Sequence, residues 1–256
     1  MGTFVALVKP RYHASFITVV VAALLFAETP DLSLAVRLGV LYVSFNLLLY
    51  GGIYTFNDIA DRRADAQHPV KRQRPIASGR LGLPAAAAIG ASLISAGVAI
   101  AAGFLPAPIL GCYVAIVALN AAYSCGGRDL PLLDIALNAA PHAVRFLMGT
   151  ILVGRVAPPE HLAVWFLLAA GISCVRRLVE KEAGAEDARP VLRRYSLIGL
   201  ALAADMGLAA IATFFAAGVA SSPGFYAVAV PAYVIFVVSA RRIPMAHVGF
   251  ERLWLR

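Results

Sequence analysis

The chain has 256 residues, of which 61% are hydrophobic and only 14% charged. Soluble domains carry about 25% charged residues, so an ordinary soluble core is excluded. A mean hydropathy of +0.79 and repeated apolar runs of about 20 residues predict an all-α, polytopic transmembrane helical bundle. The net charge of +8 does not imply nucleic-acid binding, because Lys- and Arg-rich loops on the inner side of a membrane give the same balance.

In chain order, eight spans are expected near residues 13–28, 34–56, 84–105, 108–124, 132–154, 161–179, 196–219 and 224–240. The first apolar run reads as a membrane helix rather than a cleaved signal. With the N-terminus in the cytoplasm of a bacterial-type inner membrane, Lys9 and Arg11 lie inside. The loop after the second span adds Arg62, Arg63, Lys71, Arg72, Arg74 and Arg80, and the loop after the fourth adds Arg128. The loop after the sixth adds Arg176, Arg177, Lys181, Arg189, Arg193 and Arg194, and the tail adds Arg241, Arg242, Arg252 and Arg256. Nineteen of the 22 Lys and Arg residues are then inside, against Arg37 and Arg155 outside and Arg145 within a span. Both termini and the charged loops are therefore predicted to be cytoplasmic. No linker divides the chain, so residues 1–256 are read as one domain. The two richest inner loops follow the second and sixth spans, which suggests a four-helix unit used twice, with both loops facing a central cavity open to the cytoplasmic side. Cys112, Cys125 and Cys174 form no paired motif, so neither a disulfide framework nor a zinc site is expected. Cys112 and Cys174 read as small core residues.

The second span ends in Asn57-Asp58-Ile59-Ala60-Asp61-Arg62-Arg63-Ala64-Asp65, followed by His68-Pro69-Val70-Lys71-Arg72-Gln73-Arg74-Pro75-Ile76-Ala77-Ser78-Gly79. On a helix, Asp58, Asp61 and Asp65 share one face. They would stand at a helix C-terminus, where the macrodipole is already negative. Three like charges there require a cation, and Asx oxygens with water suit a hard divalent ion, most simply Mg²⁺. Asn57, Asp58, Asp61 and Asp65 are the candidate metal ligands. Lys71, Arg72 and Arg74 are placed to hold phosphates that such an ion bridges. The competing reading is a solvated charged loop; the order of acids then bases at a membrane boundary weighs against it.

Charges inside spans tend to face a bundle interior or polar cavity. Asp134 opens the fifth span, and Arg145 lies about three turns deeper. Arg145 is a candidate contact for a phosphate or an acidic acceptor, the structural alternative being an ion pair with Asp205 of the seventh span. Asn120 and Asn138 read as interhelical hydrogen bonders. The five histidines show no metal-ligand spacing.

These residues resemble the UbiA superfamily of intramembrane prenyltransferases, whose first signature, N-D-x-x-D-x-x-x-D, is met in full at Asn57, Asp58, Asp61 and Asp65. The likeness continues through Arg74-Pro75-Ile76-Ala77-Ser78-Gly79. It implies an all-helical fold, usually of nine spans, a Mg²⁺-bound diphosphate and a lateral opening to lipid for an isoprenoid. Three further blocks are similar to the decaprenyl-phosphate phosphoribosyltransferase-like branch. They are Tyr123-Ser124 with Arg128, Pro131 and Asp134; Arg145; and Arg176-Arg177-Leu178-Val179-Glu180 with Arg189, Leu192 and Tyr195. Arg128 stands where that branch carries Lys. Most other members have a second Asp-rich motif in the sixth-to-seventh loop; here Glu180 is its candidate counterpart, while Glu182, Glu186 and Asp187 read as solvated. The chain departs from the branch at Lys9-Pro10-Arg11-Tyr12-His13-Ala14-Ser15-Phe16, where Ala14-Ser15 replaces a Lys-Asn pair. After the eighth span, residues 243–256 are too short and charged to cross a membrane and are expected to lie along its surface.

The resemblance implies prenyl transfer from a prenyl diphosphate to an acceptor, with Asp58, Asp61, Asp65, Asp134, Arg145 and Glu180 as catalytic candidates. Lys71, Arg72, Arg74, Arg128, Arg176 and Arg177 are the candidate diphosphate ligands. The first alternative is transfer from phosphoribosyl diphosphate to a polyprenyl phosphate, and the second is membrane terpene cyclisation. The expected partners are an isoprenoid diphosphate or polyprenyl phosphate and membrane lipid, not nucleic acid. A transporter would place polar groups at mid-membrane on broken helices, whereas these acids gather at a boundary.

Overall fold

The computed structural model describes Leu7 and residues 9–67, 71–182, 184, 186, 189–216, 231, 233 and 234. Most of the expected eighth span, the C-terminal segment from residue 243, His68 and Asp187 lie outside the described residues. Among the described residues the regular structure is helical, with no strand. A 3₁₀ turn over Pro10–Phe16 leads into α1 (Ile17–Phe26). Then follow α2 (Leu32–Ala60), α3 (Arg62–Gln67), α4 (Leu83–Phe104) and α5 (Pro108–Ser124). The remaining helices are α6 (Leu133–Leu152), α7 (Pro159–Glu182) and α8 (Leu197–Ala216). Four of them, α2, α4, α6 and α7, are long and apolar enough to cross a membrane. A helix satisfies its own backbone groups, the condition hydrocarbon imposes on any spanning segment. The chain is an integral membrane protein with an all-helical fold.

Local chemistry marks the helix boundaries. Asp31 caps α2, its carboxylate accepting the Leu34 N–H at 2.8 Å, which satisfies a backbone donor that the first turn leaves unpaired. Prolines sit in the first turn of α4 and begin α5 and α7, where a missing N–H costs nothing. Gly154, at φ +70°, follows α6 in a left-handed turn that a side chain would strain.

Helix α2 is one 29-residue element but not uniform. Tyr42–Leu49 winds as a π-helix, and the Tyr50 N–H donates to the Phe45 carbonyl five residues back. α4 packs tightly on this stretch. A Cβ built on Gly97 would lie 2.6 Å from the Ser44 carbonyl oxygen and 3.1 Å from the Leu49 nitrogen, so only glycine lets the two backbones approach this closely.

The fold divides into two units, residues 1–120 with 144–156, and residues 121–143 with 157–256. The core of the first joins Leu41, Phe45, Leu49, Tyr50 and Ile53 of α2 to Val19, Ala101, Ile109, Tyr113, Ile116 and Met148. The core of the second joins Ile135, Val164, Leu168, Val175, Leu178, Val191, Leu192, Tyr195, Leu200 and Ala204. Cys112 and Cys174 are buried within these cores, as expected, and Cys125 is exposed. Large apolar side chains such as Leu32, Phe104, Val114 and Ile198 stay exposed, as lipid-facing positions require.

Candidate active site

Each unit carries a cluster of buried acids and bases. In the first, α2 delivers Asn57 and Asp58 at its last turn and then breaks. Asp61 has ψ near 0°, so the shared face expected for three aspartates on one continuous helix is interrupted. The short α3 restarts the winding and returns Asp65. Asp58 and Asp65 are buried, Asp61 only half so. The loop beyond supplies Arg74, whose Nη1 donates to Asp58 Oδ1 at 3.0 Å and to Asp65 Oδ2 at 2.7 Å. From far upstream, Lys9 Nζ reaches Asp58 Oδ1 at 2.7 Å. Lys9 holds a left-handed conformation at φ 51°, uncommon for a side-chain-bearing residue. Burial pushes its ammonium below the ordinary lysine range, with Asp58 opposing the shift.

The fit of this site to a divalent cation rests on its geometry and donor type. Two carboxylate oxygens from different segments converge on one nitrogen, so a single cationic position already exists between Asp58 and Asp65, with Arg74 in it. Both donors are hard oxygens, as Mg²⁺ prefers. Among the described residues no three His, Cys, Asp or Glu side chains converge as a metal-binding group. Mg²⁺ does not need three, because it keeps several waters and is commonly held by one or two carboxylates plus substrate phosphates. Among the residues expected to bind diphosphate, Arg74 meets the acids directly. Arg72 is exposed and lines an open depression with Gln73, Ser78 and Arg80. Lys71 is half-buried.

Deeper in the same unit lies Arg145 of α6, only 6% exposed. Its guanidinium carbon stands 4.9 Å from the ring centre of Tyr50 and 5.7 Å from that of Phe45. Among the described residues of its own unit no carboxylate pairs with it, and its buried Nε has no hydrogen-bond acceptor there. Asp205, the structural alternative, is exposed in the second unit. An unpaired cation at mid-bilayer costs about 2.5–3.5 kcal/mol on insertion scales. Each desolvated aromatic face returns about 2 kcal/mol, so the two rings offset a cost of this size.

In the second unit, Asp134 is fully buried at the start of α6. Arg177 clasps it, Nε to Oδ2 at 2.6 Å and Nη2 to Oδ1 at 2.8 Å. The same guanidinium donates from Nη1 to Glu180 Oε2 at 2.8 Å, and Arg176 Nε donates to Glu180 Oε1 at 2.9 Å. Arg189 adds ion pairs to Asp134 and Glu180 at 3.5 and 3.3 Å and donates to the Tyr123 hydroxyl at 3.2 Å. The Tyr195 hydroxyl accepts the Leu132 N–H at 3.1 Å, and burial pushes its phenol above the ordinary range. Three guanidinium groups thus face two carboxylates, leaving one net positive charge. The blocks around Tyr123, Arg177 and Arg189, far apart in sequence, meet in one network. Arg128 is half-buried nearby in the chain.

Two residues absent from the candidate set prove integral to these clusters, Lys9 and Arg189. Lys9 is signalled in the sequence only as a basic residue ahead of the first span, and Arg189 by its block with Leu192 and Tyr195. Neither position reveals which acid it meets.

The matches to known proteins agree with this geometry. Residues 15–245 match the UbiA prenyltransferase family. The chain is 32% identical over 131 residues to the decaprenyl-phosphate phosphoribosyltransferase of Corynebacterium glutamicum, covering 50% of this chain and 38% of that one. It is 30% identical over 165 residues to the enzyme of the same name from Mycolicibacterium smegmatis, covering 63% and 50%. The matched stretches thus span half or less of these relatives' length. Among solved structures, a UbiA homologue from Archaeoglobus fulgidus bound to DMAPP and Mg²⁺ superposes with a TM-score of 0.77 at 17% identity, over 98% of this chain and 95% of that one. The same homologue has also been solved with GPP and Mg²⁺. A match across nearly the whole chain, the acidic motif at the end of α2 and a shared helical fold lead to one assignment: the chain belongs to the UbiA prenyltransferase family.

Proposed function

We propose that the protein is a Mg²⁺-dependent transferase of the UbiA type, which expels diphosphate from an activated carbon and passes that carbon to an acceptor at the membrane. The observation that carries this reading is the convergence of Asp58 and Asp65 on one cationic position, ringed by Lys9 and Arg74. Asp58 and Asp65, with Asn57 and Asp61 beside them, would hold the ion. When bound, Mg²⁺ supplies charge neutralisation to the departing diphosphate.

The protein's own groups do the rest. Arg74 would yield its place between the two acids to the ion and turn its guanidinium toward phosphate oxygens. Lys9 remains within reach of the same oxygens. Lys71 and Arg72 add positive charge from the loop beyond α3, and within the second unit the network of Arg176, Arg177, Arg189, Asp134 and Glu180 holds a net positive charge by its own ion pairs. Preorganised cations favour the state in which negative charge develops on the leaving group. The carbon left behind is cationic, and apolar walls keep water from it. The charged loops, on this reading, face the cytoplasm.

Two donors suit this chemistry. With a prenyl diphosphate the product is a prenylated acceptor, the activity that names the family. With phosphoribosyl diphosphate the acceptor is a polyprenyl phosphate; the likeness to decaprenyl-phosphate phosphoribosyltransferases, at 28 to 32% identity over about half the chain, supports this second reading. A donor-swap assay in nanodiscs decides between them. Labelled prenyl diphosphates and labelled phosphoribosyl diphosphate are each offered with and without Mg²⁺, to wild type and to Asp58→Asn. Release of diphosphate that requires both Mg²⁺ and Asp58 is the expected result. Release that ignores either one overturns the assignment.

A further inference from the structure

Among the described residues, only two that carry a side chain adopt positive φ, Lys9 at 51° and Leu132 at 65°. Each stands near a buried acid. Lys9 meets Asp58 directly, whereas Leu132 lies two residues before Asp134 in the second unit. A left-handed leucine is strained, because its Cβ crowds the following carbonyl oxygen. Such an outlier persists only where its surroundings hold it, and it is found most often at functional sites. Burial does not hold Leu132, which is 73% exposed.

Hydrogen bonds hold it instead. The Leu132 carbonyl accepts the Ala136 N–H at 2.8 Å, and the Leu130 carbonyl accepts the Asp134 N–H at 3.0 Å. The Leu132 N–H donates to the Tyr195 hydroxyl at 3.1 Å, from 63 residues away. Leu132 thus stands where an N-cap stands ahead of α6, yet leucine has no side-chain oxygen with which to cap. A hydroxyl from another segment fixes the helix entry in its place. Asp134 is the second residue of α6. Successive helical residues turn by about 100°, so unwinding the first turn by one residue would swing Asp134 away from Arg177.

The segment that carries Tyr195 is itself tied down. Pro190–Arg194 forms a 3₁₀ turn, with Arg189 before it and Tyr195 after it. Side chains three apart share one face of such a turn, which makes Arg189, Leu192 and Tyr195 a unit. Arg189 pairs with Asp134 and Glu180. Leu192 is fully buried, and its carbonyl accepts Lys181 Nζ of α7 at 2.8 Å. Tyr195 is buried with its hydroxyl on Leu132. The turn therefore acts on Asp134 twice, directly through Arg189 and indirectly through the entry of α6.

We propose that Tyr195 is a positioning residue of the transferase: its hydroxyl holds the strained Leu132 so that α6 begins at Leu133 and Asp134 faces Arg177. It does so without touching substrate. This inference rests on the transferase reading for its effect on turnover, while its structural half concerns the second unit alone. Leucine at position 132 is what makes the hydroxyl necessary, since glycine takes the left-handed conformation freely.

The test is a double-mutant cycle on the full chain in nanodiscs, with Tyr195→Phe, Leu132→Gly and the two combined. Tyr195→Phe keeps the buried ring, and thermal melts confirm that each variant is folded. Hydrogen exchange is read at the Asp134 and Ala136 amides, neither of which bonds Tyr195. Loss of the hydroxyl should speed their exchange about tenfold with leucine at 132, and by no more than about twofold with glycine there. In the diphosphate-release assay the same loss should lower kcat about tenfold with KM nearly constant, and glycine at 132 should restore most of it. Exchange that Tyr195→Phe leaves unchanged overturns the proposal. So does a loss equally large in the glycine background, because Tyr195 would then act by another route. A rise in KM that accounts for the whole loss would put Tyr195 on the substrate and overturn it as well. Absence of turnover by wild type with every donor would defeat the transferase reading, and the exchange cycle would still decide whether Tyr195 holds Asp134.

Discussion

Arg177 holds Asp134 by two hydrogen bonds, at 2.6 and 2.8 Å, with both side chains 1% exposed or less. A carboxylate so engaged has little freedom for proton transfer, and its geometry suits a fixed counter-ion that aims the arginine. Removing one partner leaves a buried charge alone, a loss of about 3–5 kcal/mol. Asp134→Ala should therefore lower the melting temperature in detergent by several degrees. The double variant Asp134→Leu with Arg177→Met should melt closer to wild type than the single variant does. Activity lost in both but stability recovered in the second would separate the positioning role from the structural one.

Arg74 occupies the position between Asp58 and Asp65 to which a metal would be drawn. Arg74→Gln removes a competing cation while keeping most of the side-chain volume. Mn²⁺ binding without substrate, followed by electron paramagnetic resonance, should tighten about tenfold, the equivalent of about 1.4 kcal/mol. Diphosphate release should fall at the same time, since the same guanidinium is needed on phosphate. Unchanged Mn²⁺ affinity would argue that the two acids do not form the metal site.

Lys9 gives the site a pH signature. Burial lowers its folded-state pKa, so between that value and the ordinary lysine value of 10.5 the unfolded chain binds more protons than the folded one. Stability from this group therefore rises with pH through that window. Lys9→Met removes the contribution. The melting temperature of wild type relative to Lys9→Met should increase as pH is raised toward 10, and a constant difference would count against a buried ammonium at Asp58.

The approach of α4 to α2 depends on Gly97. A Cβ there meets backbone atoms of Ser44 and Leu49 rather than a yielding side chain. Gly97→Ala should destabilise by about 1–3 kcal/mol and displace the π-helical stretch that carries Phe45. The melting temperature in detergent should fall by several degrees, while Gly103→Ala on the same helix, with nothing within 4 Å, should leave it unchanged.

Hydropathy and local punctuation determined much of this protein without any structure. The apolar runs near 34–56, 84–105, 108–124, 132–154 and 161–179 correspond to α2, α4, α5, α6 and α7, because a membrane helix is specified by its own residues and by the prolines, glycines and caps at its ends. The acidic motif at Asn57, Asp58, Asp61 and Asp65 identified the family for the same reason: its spacing is contained in one stretch of chain.

What the linear pattern did not decide is which charge meets which. The break at Asp61 sets Asp61 apart from Asp58 and Asp65. Lys9 comes 49 residues from upstream to reach Asp58, Arg177 lies 43 residues from Asp134, and Arg145 rests on the α2 rings Phe45 and Tyr50. An ion pair over such a separation forms only where packed helices bring the two ends within about 3 Å, and packing depends on close approaches such as that at Gly97. Composition sets how many charges a membrane protein must hide; the tertiary fold alone assigns partners to them, carboxylates for Arg74 and Arg177 and aromatic faces for Arg145.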